Sequence, residues 1–318
     1  MKIDKYIKEM FTVATGNLSS DIYFLCQNRK YQIVMRTNKG ITEYDTISMN
    51  LASQIINSLK YSAEMAVSEK RRPQTGKVFW RDYPLRLSTV GDVNGNESLV
   101  IRIIYDNEPS KIKFFNGCEY SNIRKLCRKR GMVVFAGPTG SGKTSTIYKL
   151  ASELSEDQII MTIEDPIEIS SESFLQLQIN EAAGLNYAEL IKVGLRHRPD
   201  AFIIGEIRDS KTANAAIQAA LSGHLVLTTI HAQSPSGVIK RLKNLGIDNE
   251  YIDQALTGVA YQRLVTTKND DQQALLVSHP ASELNQGEYD WSRWQLYLKG
   301  GVDDGEIDSS EASRYQFG

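Results

Sequence analysis

The pattern of apolar positions changes character about one third of the way along the chain. In the first part, DIYFLCQ (21–27) and YQIVMRT (31–37) are β-rich and half-alternating, joined by a polar NRK turn, which predicts two paired strands. ISMNLASQIINSLKYSAEM (47–65) carries its apolar residues at helical spacing, and YPLRLSTV (83–90) and SLVIRIIY (98–105) return to strands. The turn-like GDVNGNE (91–97) between those two predicts a hairpin. YDNEPSKIK (105–113) is polar with one proline, and the domain boundary is placed there, at 108/109.

Beyond it, strands alternate with helices. MVVFA (132–136), QIIMTI (158–163), AFIIGE (201–206) and HLVLTTI (224–230) are short continuous apolar runs, as strands buried on both faces of a parallel sheet should be. The helices between and after them are TSTIYKLASEL (144–154), YAELIKVGLR (187–196), SKTANAAIQAALS (210–222) and PSGVIKRLKNL (235–245). The periodicity weakens after Arg263. The stretch from 300 to 318 is acidic and rich in Gly and Ser, which predicts a mobile tail. The expectation is an α/β chain, with a smaller α+β domain over 1–108 and a mainly parallel sheet carrying helices on both faces over 109–318.

Bulk properties narrow the class. A length of 318 residues suits about two domains. A formal net charge of −1 gives no global pull toward nucleic acid or anionic lipid. Cys26, Cys118 and Cys127 are scattered, which argues against a disulfide framework and suits a reducing cytoplasm. Charges break the apolar runs of MKIDKYIKEMF, so it does not read as a signal peptide, and no apolar stretch approaches the roughly 20 residues of a bilayer span. Membrane contact is expected only through a partner.

The sharpest chemical signal is GPTGSGKT (137–144), which satisfies GxxxxGK[ST] between a predicted strand and a predicted helix. Glycines let backbone N–H groups converge on phosphates, and the helix N-terminus adds the positive end of its dipole. The nucleotide-binding stretch is Gly137, Pro138, Thr139, Gly140, Ser141, Gly142, Lys143, Thr144 and Ser145. Lys143 should reach the β- and γ-phosphates of ATP, and the Thr144 hydroxyl should ligate Mg²⁺. Two buried runs then end in acids: QIIMTI in Glu164, within TIEDPIE (162–168), and AFIIG in Glu206, where Gly205 holds the position usually given to Asp. Glu164 and Glu206 are read as Mg²⁺ ligands and as candidate bases for the attacking water, with the choice between them left open. A third run is bracketed by His224 and His231. His231 is expected to bond a γ-phosphate or Glu206, and His224 is taken with it.

Taken in order, GPTGSGKT, TIEDPIE, IIGEIRD and GHLVLTTIHA resemble the phosphate loop, Asp box, Walker B and His box of the secretion and type IV pilus ATPases. The resemblance runs from about residue 18 to 265 and takes in SSDIYF, EKRRPQTGK, LRLST and LVIRII of the first domain. It implies a PAS-like N-terminal domain, a RecA-like P-loop ATPase domain and assembly into a hexameric ring. It also implies that arginines of the small domain close over the phosphates. Arg86 and Arg102 match those arginines, while Lys77 and Thr75 depart from the pattern; Lys lacks the bidentate fork, so Lys77 is given no such role. Arg196, Arg208 and Arg263 match family positions near the nucleotide or subunit interface, with Arg208 counted among the catalytic candidates, and Lys192 replaces another arginine.

The chain has neither the tetracysteine zinc site and extra N-terminal domain of the larger assembly motors nor the AIRNL-type element of retraction motors. That combination is most similar to the competence-pilus ATPases of Gram-positive bacteria. The implied function is ATP-driven assembly of a pilus for DNA uptake, docked on a polytopic membrane platform protein at the cytoplasmic face. No structural zinc and no direct nucleic-acid contact are expected. Alternatives are a retraction motor, a DNA translocase and a non-hydrolysing scaffold. The basic run RKLCRKR (124–130) is the translocase's best support, but it is read as the end of a helix capped at Gly131, without interleaved aromatics.

Overall fold

The computed structural model describes residues 3–37, 40–105, 111–284 and 287–318. The chain forms two compact units, 1–106 and 107–318. The boundary expected at 108/109 lies outside the described residues.

The first unit runs α1 (Ile3–Gly16), β1 (Asp21–Gln27), β2 (Lys30–Thr37), β3 (Gly40–Ser48), α2 (Met49–Ser62), β4 (Gln74–Trp80), β5 (Tyr83–Gly91) and β6 (Glu97–Ile103). Its strands form one antiparallel sheet in the order β3-β2-β1-β6-β5-β4. Tyr6, Ile7, Met10, Phe11 and Ala14 line one face of α1, at the spacing a buried helical stripe requires. They join Ile55, Ile56 and Leu59 of α2 over Ile22, Phe24, Leu85, Leu87, Leu99 and Ile101 of the sheet. Helices therefore cover one sheet face. The predicted β5–β6 hairpin is present, and α1, β3 and β4 had not been assigned.

The second unit runs α3 (Gly117–Leu126), β7 (Gly131–Ala136), α4 (Lys143–Leu154), β8 (Ile160–Glu164), β9 (Phe174–Gln178), α5 (Tyr187–His197), β10 (Ala201–Ile204) and α6 (Ser210–Leu221). It continues with β11 (Leu225–Ile230), α7 (Pro235–Asn244), α8 (Asn249–Ala255), β12 (Leu256–Thr266), β13 (Gln272–Pro280), α9 (Ser292–Asp303) and α10 (Ser309–Arg314). The sheet order is β13-β12-β7-β11-β10-β8-β9, parallel throughout except for the antiparallel edge strand β13. Alternate residues of β7 feed opposite faces. Met132 and Val134 pack with α5, α6 and α7, whereas Val133 and Phe135 pack with α3 and α4. Burial on both sides is why these strands read as unbroken apolar runs.

Two expectations fail. The segment 300–318 is not a mobile tail: it completes α9 and forms α10, with Ile307 fully buried. Trp294 Nε1 donates to the Tyr315 carbonyl at 2.7 Å, and the Thr266 N–H donates to Glu311 at 2.7 Å. A few well-placed apolar and polar contacts thus fix a stretch whose composition suggested disorder. The basic run also does not carry its helix to Gly131. The helix α3 ends at Leu126, and Gly131 opens β7 at φ 109°, where a Cβ would lie 2.2 Å from Thr257 Oγ1.

Candidate active site

The carboxyl ends of β7, β11, β10 and β8 line up, with Ala136 beside Ile230, and Ile204 beside both Thr228 and Ile163. The next residues along each strand are the phosphate loop, His231, the Gly205-Glu206 pair and Glu164. Four sequence-predicted elements thus converge on one sheet edge, the edge at which open α/β sheets bind ligands.

The loop takes its shape from Gly137, Gly140 and Gly142, at φ 137°, 78° and 80°. A Cβ on Gly137 would lie 2.4 Å from the Gln262 carbonyl oxygen, so β12 presses directly against the loop. Gln262 is fully buried; its Nε2 donates to the Ser141 carbonyl at 2.7 Å and its Oε1 accepts from the Thr146 hydroxyl at 2.8 Å. One side chain from β12 thereby ties the loop to the first turns of α4. Lys143, 7% exposed, donates to the Gly137 and Pro138 carbonyls at 3.0 and 2.7 Å. Burial pulls its pKa down from 10.5 to about 8, opposed by Glu206 and Glu168 and reinforced by Arg263. The Ser141 hydroxyl is buried without a hydrogen-bond partner among the described residues, and Thr144 is half-buried in the first turn of α4.

Glu164 is 3% exposed at the end of β8. The Tyr148 hydroxyl of α4 donates to its Oε1 and accepts from Gln176 Nε2 at 2.8 Å. Burial, then Glu164, pushes the Tyr148 phenol far above its ordinary range. Glu206 pairs with Arg208 through Oε1, which raises the arginine's pKa further. Its Oε2 is buried without a hydrogen-bond partner among the described residues and lies 3.8 Å from His231 Nε2, ion-pair rather than hydrogen-bond range. Thr229 Oγ1 donates to the Gly205 carbonyl at 2.8 Å and holds β10 and β11 together where the acid emerges. The Tyr187 phenol is pushed up by burial first and then by Glu206 and Asp165.

His224 does not join this cluster. Leu225 pairs with Gly131, so His224 stands at the opposite sheet edge, its Nδ1 3.1 Å from the Ala219 carbonyl and its ring 5.3 Å from Phe202. The two ends of one strand cannot share a site. Arg196 is exposed at the end of α5, and Lys192 makes a surface pair with Glu189. Arg263 donates to the Gly318 carbonyl at 2.6 Å and lies over the Tyr261 and Tyr315 rings. Gln262, Tyr148 and Tyr187 were missed from the sequence; the polar Gln-Arg pair interrupting an apolar run after 256 was the available signal.

In the first unit, Lys77, Arg86, Arg102, Asp21 and Arg36 stand directly opposite one another across β4, β5, β6, β1 and β2. Residues opposite in antiparallel pairs share a face, so this row lies on the side away from α1 and α2. Arg102 Nε donates to buried Asp21 at 2.8 Å. Like charges directly opposite, as at Lys77–Arg86 and Arg86–Arg102, are unfavourable, and Asp21 offsets this between Arg102 and Arg36.

The family model described as "Type II/IV secretion system protein" matches residues 1–295. Competence protein ComGA of Streptococcus pneumoniae is 43% identical over 270 residues, covering 83% of this chain and 85% of that one. Competence protein ComGA of Bacillus subtilis is 37% identical over 272 residues, with coverage of 83% and 76%. The ATPase DotB of Legionella pneumophila shares the fold at a TM-score of 0.73 and 21% identity, covering 98% of this chain and 95% of its own. Identity of the extent seen with the two competence proteins goes beyond a shared fold: the chain belongs to the type II/IV secretion system protein family and is an ATPase.

Proposed function

We propose that the chain hydrolyses ATP at the strand-end site to power assembly of a competence pilus for DNA uptake. The reading includes a PAS-like first unit, a RecA-like second unit and a hexameric ring. The ring docks on a polytopic membrane platform protein at the cytoplasmic face. Among the described residues no helix is long and apolar enough to cross a membrane. The observation that carries the chemistry is the meeting of the phosphate loop with Glu164 and Glu206 at one sheet edge.

In this mechanism the loop N–H groups and the α4 N-terminus cradle the phosphates, and Lys143 exchanges its two carbonyl partners for phosphate oxygens. The Thr144 hydroxyl and the unpartnered Glu206 Oε2, with Glu164 nearby, form an oxygen donor set that fits Mg²⁺. Mg²⁺, when bound, neutralises charge on the β- and γ-phosphates. A carboxylate of the pair takes the proton of the attacking water as its oxygen bonds the γ-phosphorus and ADP leaves. His231 and Arg208 hold Glu206 in place.

Cells lacking the chain should carry no surface pilus and take up no DNA, counted by filament imaging and transformation. Longer or more numerous filaments would overturn assembly in favour of retraction. Normal filaments and normal uptake would remove the chain from this pathway.

A further inference from the structure

Tyr187 opens α5 with Asn186 as its N-cap, the Asn186 side chain accepting from the Glu189 N–H at 3.1 Å. The helix packs on the sheet face opposite α4, so Tyr148 and Tyr187 approach the strand-end acids from opposite faces. A Cβ on Gly205 would lie 3.1 Å from the Tyr187 hydroxyl and 3.4 Å from both Cα and Cγ of Glu164. The hydroxyl, Glu164 and the backbone beside Glu206 therefore share one small space. Glu206, Asp165, Arg208 and Glu164 all act electrostatically on this phenol. Tyr148 is committed, giving its proton to Glu164 and accepting from Gln176. Among the described residues the Tyr187 hydroxyl makes no hydrogen bond.

The Tyr187 side chain is half-buried, and its hydroxyl reaches the space beside Gly205 that Glu164 also borders. Its placement points to the strand-end carboxylates as its partners once they turn toward bound substrate. We propose that Tyr187 is a positioning residue for hydrolysis, its hydroxyl donating to the Glu164–Glu206 carboxylate pair and so fixing it around the attacking water. Two carboxylates facing one water repel each other, and a neutral donor between them favours the arrangement in which both face the phosphate. The idea rests on the hydrolysis chemistry proposed above.

The test is steady-state kinetics of the full chain carrying Tyr187→Phe, beside Glu164→Gln. The ring stays, so a purely packing role predicts no change. The positioning role predicts a kcat lowered about three- to tenfold, with KM for ATP and melting temperature unchanged. A wild-type kcat in Tyr187→Phe with a slowed Glu164→Gln would overturn the Tyr187 assignment alone. So would a rate loss matched by a lower melting temperature. Wild-type rates in both variants would overturn the carboxylate chemistry and the tyrosine's role together.

Discussion

Gln262 shows how the site depends on single side chains. Its two hydrogen bonds satisfy a loop carbonyl and a buried hydroxyl that have no access to bulk water. Gln262→Leu keeps the volume and orphans both groups, at about 1–3 kcal/mol each. Denaturant unfolding of the full chain should show that loss, and ATP binding should weaken as the loop loosens. Unchanged stability would mean the loop does not need its clamp. The phosphate loop was legible in the sequence because its parts are contiguous and each residue type is dictated by the phosphate. Gln262 was not legible, because its partners lie 121 and 116 residues away. Glu164 and Glu206 were readable as acids ending buried runs. His224 was misread because bracketing a strand says nothing about proximity: six strand residues span about 20 Å.

At the scale of elements, the strands β7, β8, β10 and β11 were legible because double burial makes them mostly apolar, with Thr162, Glu164, Thr228 and Thr229 the buried polar exceptions. The β12–β13 pair was not, since buried polar residues such as Gln262 and Ser278 break its pattern. Those residues are buried because they are bonded. Glu119 of α3, 1% exposed, accepts from the Ser278 N–H and hydroxyl of β13 and from the Tyr297 hydroxyl of α9. Arg293 of α9 donates to the Ser278 carbonyl at 2.5 Å and lies 3.1 Å from His279 Nε2, which is 2.7 Å from the Tyr289 hydroxyl. Arg293 offers only donors, so His279 Nε2 must be an acceptor and the ring neutral. Burial, then Arg293, holds the His279 pKa down from 6.5 to about 4, against a smaller opposing effect of Glu119. Between those values the unfolded chain takes up a proton here and the folded chain does not. Acidification from pH 6.5 toward 4 should therefore cost stability, on the order of 2 kcal/mol after allowing for partial exposure. Urea unfolding across that range should show a slope that His279→Gln removes. An unaltered slope in the variant would place the titration elsewhere.

Over the whole molecule, the two units carry different chemistry. The second holds the acids and the phosphate loop at one sheet edge, and the first holds a cross-strand row dominated by cations. The row was invisible as a pattern along the chain, although Arg86 and Arg102 were named individually, because sheet order β1-β6-β5-β4 brings together residues 21, 102, 86 and 77. The tail is likewise held by contacts distant along the chain, with β12 about 50 residues upstream and with Trp294 of α9. ATP turnover is most exposed to test at Glu206. A glutamine keeps the shape of the side chain but can neither take a proton nor supply a full negative charge. The decisive measurement is steady-state phosphate release by the full chain carrying Glu206→Gln, with ATP binding measured on the same sample. Binding close to wild type with release slowed by at least about a hundredfold is the predicted result. Phosphate release at the wild-type rate would contradict it.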